Sequence, residues 1–181
     1  MCIPISTGPS LFSPEHIAEC KCKESMLLMR ERKGYKYYVG VDPAISTDGD
    51  YNVIVVLEMD ENKNKRFVFV DRQKNVQFRE NITQELRNET DLNVHDFTTT
   101  RKKKQEIILN LQMNIENHKI IFPRGNDESR RVTDKIVEEL SMFAITDKGK
   151  FEGVGAHDDL VMGLALANAA THAISEQFVL I

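Results

Sequence analysis

The chain has 181 residues and a mass of 20.8 kDa, which at roughly 100–200 residues per domain is one domain with room for an extra arm. Hydrophobic residues at 41% and charged residues at 29% form a globular balance that excludes intrinsic disorder, collagen and low-complexity architectures. Net charge is −4, from 24 Lys and Arg against 28 Asp and Glu, so a uniformly basic nucleic-acid coat is excluded while a local basic patch is not.

The longest nearly apolar stretch, Leu160 to Ala170, begins beside two aspartates and falls well short of the ~18 residues of a membrane span. Charge is unevenly spread: Arg101-Lys102-Lys103-Lys104 carries +4, leaving −8 on the rest. Such a chain suits a polyanion at one place and cations at another. The cysteines, Cys2, Cys20 and Cys22, are odd in number and give no disulfide framework, which favours a reducing compartment. Cys20 and Cys22 with His16 lack the second ligand pair of a zinc site. The sequence opens without a charged, then apolar, secretory leader, and a cytoplasmic setting is expected.

Residues 1–12 read as an arm. Ser13-Pro14 is a helix start, with Ser at the cap and Pro in the first turn. The charged, amphipathic stretch Glu15 to Arg32 predicts one helix ending at Gly34. Tyr37 to Val41 predicts a strand stopped by Asp42-Pro43. Asn52 to Met59 and Arg66 to Asp71 predict two more strands around a polar loop, giving an antiparallel meander. Asn75 to Glu80 alternates as a further strand, Ile82 to Asn88 reads as a short helix, and Leu92 to Phe97 as a short strand. Thr100 to Asn117 predicts a helix with Ile107, Ile108, Leu111 and Ile115 on one face. Ile120 to Phe122 is extended, Ser129 to Phe143 helical, Asp147 to Lys150 a turn, and Asp158 to Ser175 a closing helix. The alternation predicts an α/β fold around one sheet. The boundaries expected are an arm and helix over 1–34, the folded domain over 35–176, and a C-terminal tail over 177–181.

Several carboxylates stand where chemistry is done. Asp42 ends a buried-looking strand, where an ionised group is costly unless paired or bound to a cation. Asp158 and Asp159 follow His157 and open the last helix; helix capping explains one aspartate there, but two adjacent carboxylates repel, and a divalent cation relieves that. Oxygen-only ligands imply a hard ion, Mg²⁺ or Mn²⁺. Glu80 ends the fourth alternating stretch and completes an acidic triad, with Asp71 competing for that role. Carboxylates so placed hold two metals about 3.5–4 Å apart, which is phosphodiester hydrolysis without a protein nucleophile. Thr98-Thr99-Thr100 and the basic run behind it offer hydroxyls, helix N–H groups and lysines to phosphate. The sequence lacks a P-loop, a G-x-S-x-G elbow and an H-E-x-x-H pair, and His95, His118 and His172 are too scattered to argue a nucleophile pair.

Taken together these residues resemble the nuclease domain of the large terminase subunit of tailed phages and related viruses. The likeness runs from Phe12 to Ala170. It includes Phe12, Glu15 and Ile17, the strand Val39-Gly40-Val41-Asp42-Pro43-Ala44, and Gly49-Asp50-Tyr51. Glu80-Asn81 with Gln84-Glu85-Leu86, Thr99-Thr100 ahead of a basic amphipathic helix, Phe122-Pro123 and Glu138-Glu139-Leu140 follow. His157-Asp158-Asp159-Leu160-Val161-Met162 before an Ala-rich helix is the most specific part.

The resemblance implies an RNase H-like mixed sheet, an antiparallel meander plus parallel strands, flanked by helices. It implies a metal-dependent endonuclease that cuts concatemeric viral DNA during genome packaging, with two Mg²⁺ or Mn²⁺ ions and low sequence specificity. Asp42 is the implied first-strand metal-bridging acid, Glu80 the second, and Asp159 the third, with Asp158 nearly equal to it. His157 is implied as a neighbour behind the ligands, and Thr100, Arg101, Lys103 and Lys104 as DNA contacts. Double-stranded DNA, a packaging ATPase domain or subunit, the small terminase subunit and the portal are the implied partners, in the host cytoplasm. The family's ATPase is absent from these 181 residues. Its crossover helix before the Glu-bearing strand is replaced by about four residues, Gln73 to Val76, too few for a parallel crossover. Two alternatives follow: a Holliday-junction-resolvase-like nuclease, or a degenerate, non-cleaving DNA-binding or docking domain of a packaging complex.

Overall fold

The computed structural model describes residues 10–28, 30–43, 51–74, 93–95, 97–154, 158–172 and 178–180. Nine strands and four helices lie within them: α1 Pro14–Glu19, β1 Lys21–Cys22, β2 Lys36–Asp42, β3 Asn52–Met59, β4 Lys65–Gln73, β5 Asn93–His95, α2 Arg101–Glu116, β6 Ile120–Pro123, α3 Asp127–Met142, β7 Phe143–Ile145, β8 Phe151–Gly153, α4 Asp159–Ala170 and β9 Phe178–Leu180. Seven strands form one sheet in the order β1-β6-β4-β3-β2-β9-β5, and β7 and β8 pair separately as a hairpin. The meander β2-β3-β4 is antiparallel, while β6, β1, β9 and β5 join with parallel pairings. The expected mixed sheet with flanking helices is therefore present.

Directly opposed residues share a face of the sheet. In the meander one face carries Tyr38, Gly40 and Asp42 of β2, opposite Leu57, Val55 and Val53 of β3. Leu57, Val55 and Val53 in turn oppose Phe67, Val70 and Arg72 of β4. The register slips by one residue between Val56 and Leu57, so a β-bulge at Val68 resets the alternation of β4. Paired without the bulge, the same residues would put Phe67, Phe69 and Asp71 on one face. With it, Val70 and Arg72 turn inward, and Phe69 and Asp71 turn outward.

Helix α4 covers this inner face. It is apolar all round (Leu160, Val161, Leu164, Ala165 and Ala167 are buried), as a helix sandwiched in a core must be. Two glycines let it sit close. A Cβ on Gly40 would overlap the Gly163 carbonyl oxygen and the Ala167 nitrogen and lie 2.9 Å from Leu166 Cβ. A Cβ on Gly163 would lie 3.0 Å from Val53 Cγ1 and Val55 Cγ2. Helix α2 packs beside α4, burying Ile107, Ile108, Leu111 and Ile115, the face its periodicity predicts.

At the far end from Asp42, the buried Lys65 ties both helices to β4. Its ammonium donates to Asn114 Oδ1 at 3.1 Å and Asn168 Oδ1 at 2.7 Å, and burial lowers its pKa from 10.5 to about 8. On the outer face the buried Glu58 accepts from the Arg32 guanidinium and the Tyr37 hydroxyl, pinning residues 30–32 to the sheet.

Three expectations are corrected. The helix expected over Glu15 to Arg32 ends at Glu19, because the chain finds strand partners instead. Phe122 N–H donates to Cys20 O and Arg124 N–H to Cys22 O, making β1, and Leu28 N–H reaches Val68 O. Phe178–Leu180, expected within a tail, forms β9 between β2 and β5; three residues are too short to read from periodicity. The turn Asp147 to Lys150 closes a hairpin whose strands are equally short, with Gly149 at φ +66°. The closing helix stops at Ala170. The strand expected over Asn75 to Glu80 and the helix over Ile82 to Asn88 lie outside the described residues. Among the described residues no helix is long and apolar enough to cross a membrane.

Gly40→Ala forces a methyl group into helix backbone, which the sheet cannot absorb by a side-chain rotation. We expect it to lower stability by about 2–3 kcal/mol in urea denaturation, with m unchanged.

Candidate active site

The site lies where the C-terminal end of β2 meets the N-terminal end of α4. Asp42 opposes Val53, and Val53 opposes Arg72, so Asp42 and Arg72 share the face that α4 covers. Gly163 rests on Val53 and Val55, and Asp159 stands one helical turn before Gly163. The close glycine packing thus sets two carboxylates from different elements at one end of one face. Asp159 is 9% exposed. Asp71 opposes Ile54 on the outer face, where it accepts from Gln73 Nε2 at 2.7 Å. The register removes it as a competitor for the acidic site.

The ordinary explanation for aspartates at a helix start is capping. Here the Asp158 carboxylate does not do that work: Asp158 makes no side-chain cap hydrogen bond. Its Oδ2 accepts from Lys104 Nζ of α2 at 2.9 Å. The helix start is instead capped by another helix. Glu139 of α3 accepts from Leu160 N–H through Oε2 at 2.9 Å. Its other oxygen faces the Arg72 guanidinium at 3.2 Å, and Arg72 also reaches Asp159 Oδ2 at 3.5 Å. The Arg72 guanidinium lies over the Tyr51 ring, 4.0 Å from its centroid. Burial lifts the Glu139 carboxyl from 4.5 to about 7, against the lowering pull of Arg72 and the Leu160 N–H.

Arg72 and Glu139 were not legible as site residues from simple periodicity. The bulge at Val68 hides Arg72. Glu139 left a signal: it lies three residues after Ile136 and beside Leu140, both fully buried, and a carboxylate on an apolar stripe requires a partner.

Of the implied DNA contacts, Thr100 accepts from Lys103 N–H and caps α2. Arg101 donates to the Lys148 and Gly149 carbonyls, each at 2.9 Å, fastening the β7-β8 hairpin to the start of α2. Lys104 is turned to Asp158. Lys103 is exposed, its ammonium 5.6 Å from the Phe97 ring centroid. Glu80 and His157 lie outside the described residues. Among the described residues no three His, Cys, Asp or Glu side chains are grouped to hold a metal ion; Asp42, Asp158 and Asp159 supply only oxygen donors, which fit a hard divalent cation. Cys20, the nearest thing to a soft ligand, is buried with its thiol on Ile115 O and its pKa pushed up to about 11 by burial.

A mixed sheet with an antiparallel meander and parallel strands, with a closing helix across its centre, is an RNase H-like fold. Solved structures bear this out. The chain is similar to the large terminase nuclease from thermophilic phage G20c with bound magnesium, 19% identical over 89% of this chain and 97% of that one, with a TM-score of 0.58. It is similar to the Thermus phage P74-26 large terminase nuclease domain, 20% identical over 93% and 98%, TM-score 0.57. The G20c nuclease with bound cobalt gives 20% and 0.57 over 89% and 97%. No protein-family model and no curated protein matches the chain.

Folded Glu139 keeps its proton to about pH 7, whereas the unfolded chain releases it near 4.5. The folded state therefore binds more protons between those values, and stability falls as pH rises across that window. In EDTA we expect a loss of about 2 kcal/mol between pH 4.5 and 7, and a much flatter profile for Glu139→Gln, read from urea midpoints at each pH.

Proposed function

We propose that this chain is a metal-dependent DNA endonuclease of the large-terminase type, cutting concatemeric viral DNA during genome packaging with low sequence specificity. The observation that carries the reading is that Glu139, rather than the cap residue Asp158, accepts the Leu160 N–H at the start of α4, on the sheet face that Asp42 shares. The likeness in fold to terminase nucleases crystallised with magnesium and cobalt supports it.

Asp42, Glu80, Asp158 and Asp159 would hold two Mg²⁺ or Mn²⁺ ions. When bound, these activate water and stabilise the departing oxygen of the phosphodiester. The chain's own groups place the DNA. The Thr100-capped start of α2 offers N–H groups to a backbone phosphate, with the exposed Lys102 and Lys103 as counter-charge. Lys104 is held at the carboxylates by Asp158, so its role is at the scissile phosphate rather than along the duplex. Arg101 contributes by holding the hairpin with Lys148 and Lys150 beside the same helix start. The packaging ATPase, small terminase subunit and portal are the partners this role entails, and the host cytoplasm its setting.

Supercoiled-plasmid cleavage with Mn²⁺, Mg²⁺ or EDTA tests the reading. We expect nicking and linearisation with either metal, none in EDTA, and a loss of at least about 100-fold in Asp42→Asn. Absence of cleavage in a folded protein that still binds DNA would favour the non-cleaving packaging module instead.

A further inference from the structure

The mechanism just described makes no use of Arg72, although it is the cation closest to the buried acids. Its contacts, 3.2 Å to Glu139 and 3.5 Å to Asp159, are longer than the 2.7–2.9 Å of a charge-assisted hydrogen bond (a general range). Its Nε is buried with no hydrogen-bond partner among the described residues. The guanidinium therefore serves these carboxylates as a charge more than as a directional donor. Two features keep it in place: the inward turn of β4 after the bulge, and the Tyr51 ring at 4.0 Å. Lys104, by contrast, meets only Asp158 among these acids, at 2.9 Å.

We infer that Arg72 is a resident counter-cation of the active site: it holds Asp159 and Glu139 in place before metal arrives and, because it stays fixed beside them, weakens metal binding. The inference rests on the metal-dependent reading above. The physical case is one of sign. Asp159 and Glu139 both lie within 3.5 Å of the Arg72 guanidinium in a largely desolvated place, where a cation between two acids offsets their mutual repulsion. A single positive charge held within several ångströms of a divalent ion repels that ion by an amount that is large in a partly desolvated site. Arg72 is thus a positioning residue whose charge trades metal affinity for a site assembled in advance.

The test is calorimetric titration of Mn²⁺ into the full chain, with thermal melts in EDTA and in Mn²⁺, for wild type, Arg72→Gln, Arg72→Lys and Asp42→Asn. For Arg72→Gln we expect a lower melting temperature in EDTA, about tenfold tighter Mn²⁺ binding, and a larger Mn²⁺-induced rise in melting temperature than in wild type. Arg72→Lys, which keeps the charge, should bind Mn²⁺ as wild type does. If Arg72→Gln folds only with Mn²⁺ present, the inference stands; if Mn²⁺ does not rescue it, or if it binds Mn²⁺ no more tightly than wild type, the inference is overturned while the nuclease reading is untouched. If wild type binds no Mn²⁺ and Asp42→Asn changes nothing, both readings fall.

Discussion

The architecture depends on one close approach: helix α4 laid against β2 and β3 with glycine on both sides of the contact. A side chain at Gly40 or Gly163 would hold the two backbones apart. The helix is apolar around its circumference, so no polar face sets its rotation; the approach of Gly163 to Val53 and Val55 and of Gly40 to Gly163 and Ala167 does. The first turn of α4 is then fixed over the row formed by Asp42, Val53 and Arg72. Acids separated by more than a hundred residues come to the same end of one sheet face through a contact that involves none of them.

Charge in this region is arranged in layers. Asp158 and Asp159 stand at the helix start, and each meets a cation from a different element, Lys104 of α2 and Arg72 of β4. Glu139 lies behind them, closing the helix end that an aspartate would otherwise close. The local requirement (satisfying the orphan N–H groups of a helix start) is met from the third helix. Lys65, at the opposite end of β4, shows the contrasting solution: a buried cation satisfied by neutral amides rather than by acids.

How much of this was legible in the sequence differed by element. The three meander strands, the apolar stripe of α2, its threonine cap and the acids at β2 and α4 could be read directly, because each rests on local periodicity or a capping residue. The segment after Cys20 could not. Its charged pattern suits a helix, and only the strand edge of β6, a hundred residues onward, makes it extended. The hairpin strands and β9 are three residues each, below the length at which alternation carries information. Asp71 looked as good an acid as any until the pairing register placed it on the far face, and Arg72 was hidden by the same cause. Glu139 announced itself only as a misplaced charge on a buried stripe.

The bulge at Val68 therefore has reach beyond the strand that contains it. A strand with period two acts as a reading frame, and a single extra residue shifts every side chain beyond it to the opposite phase. In β4 the two phases present opposite signs to the helix: arginine in one, aspartate in the other. The electrostatic character of this edge is consequently set by the pairing register as well as by which residues are present. The same residues paired without the bulge would turn Asp71 rather than Arg72 toward the helix, a reversal of polarity that comparison of residue types alone would pass over.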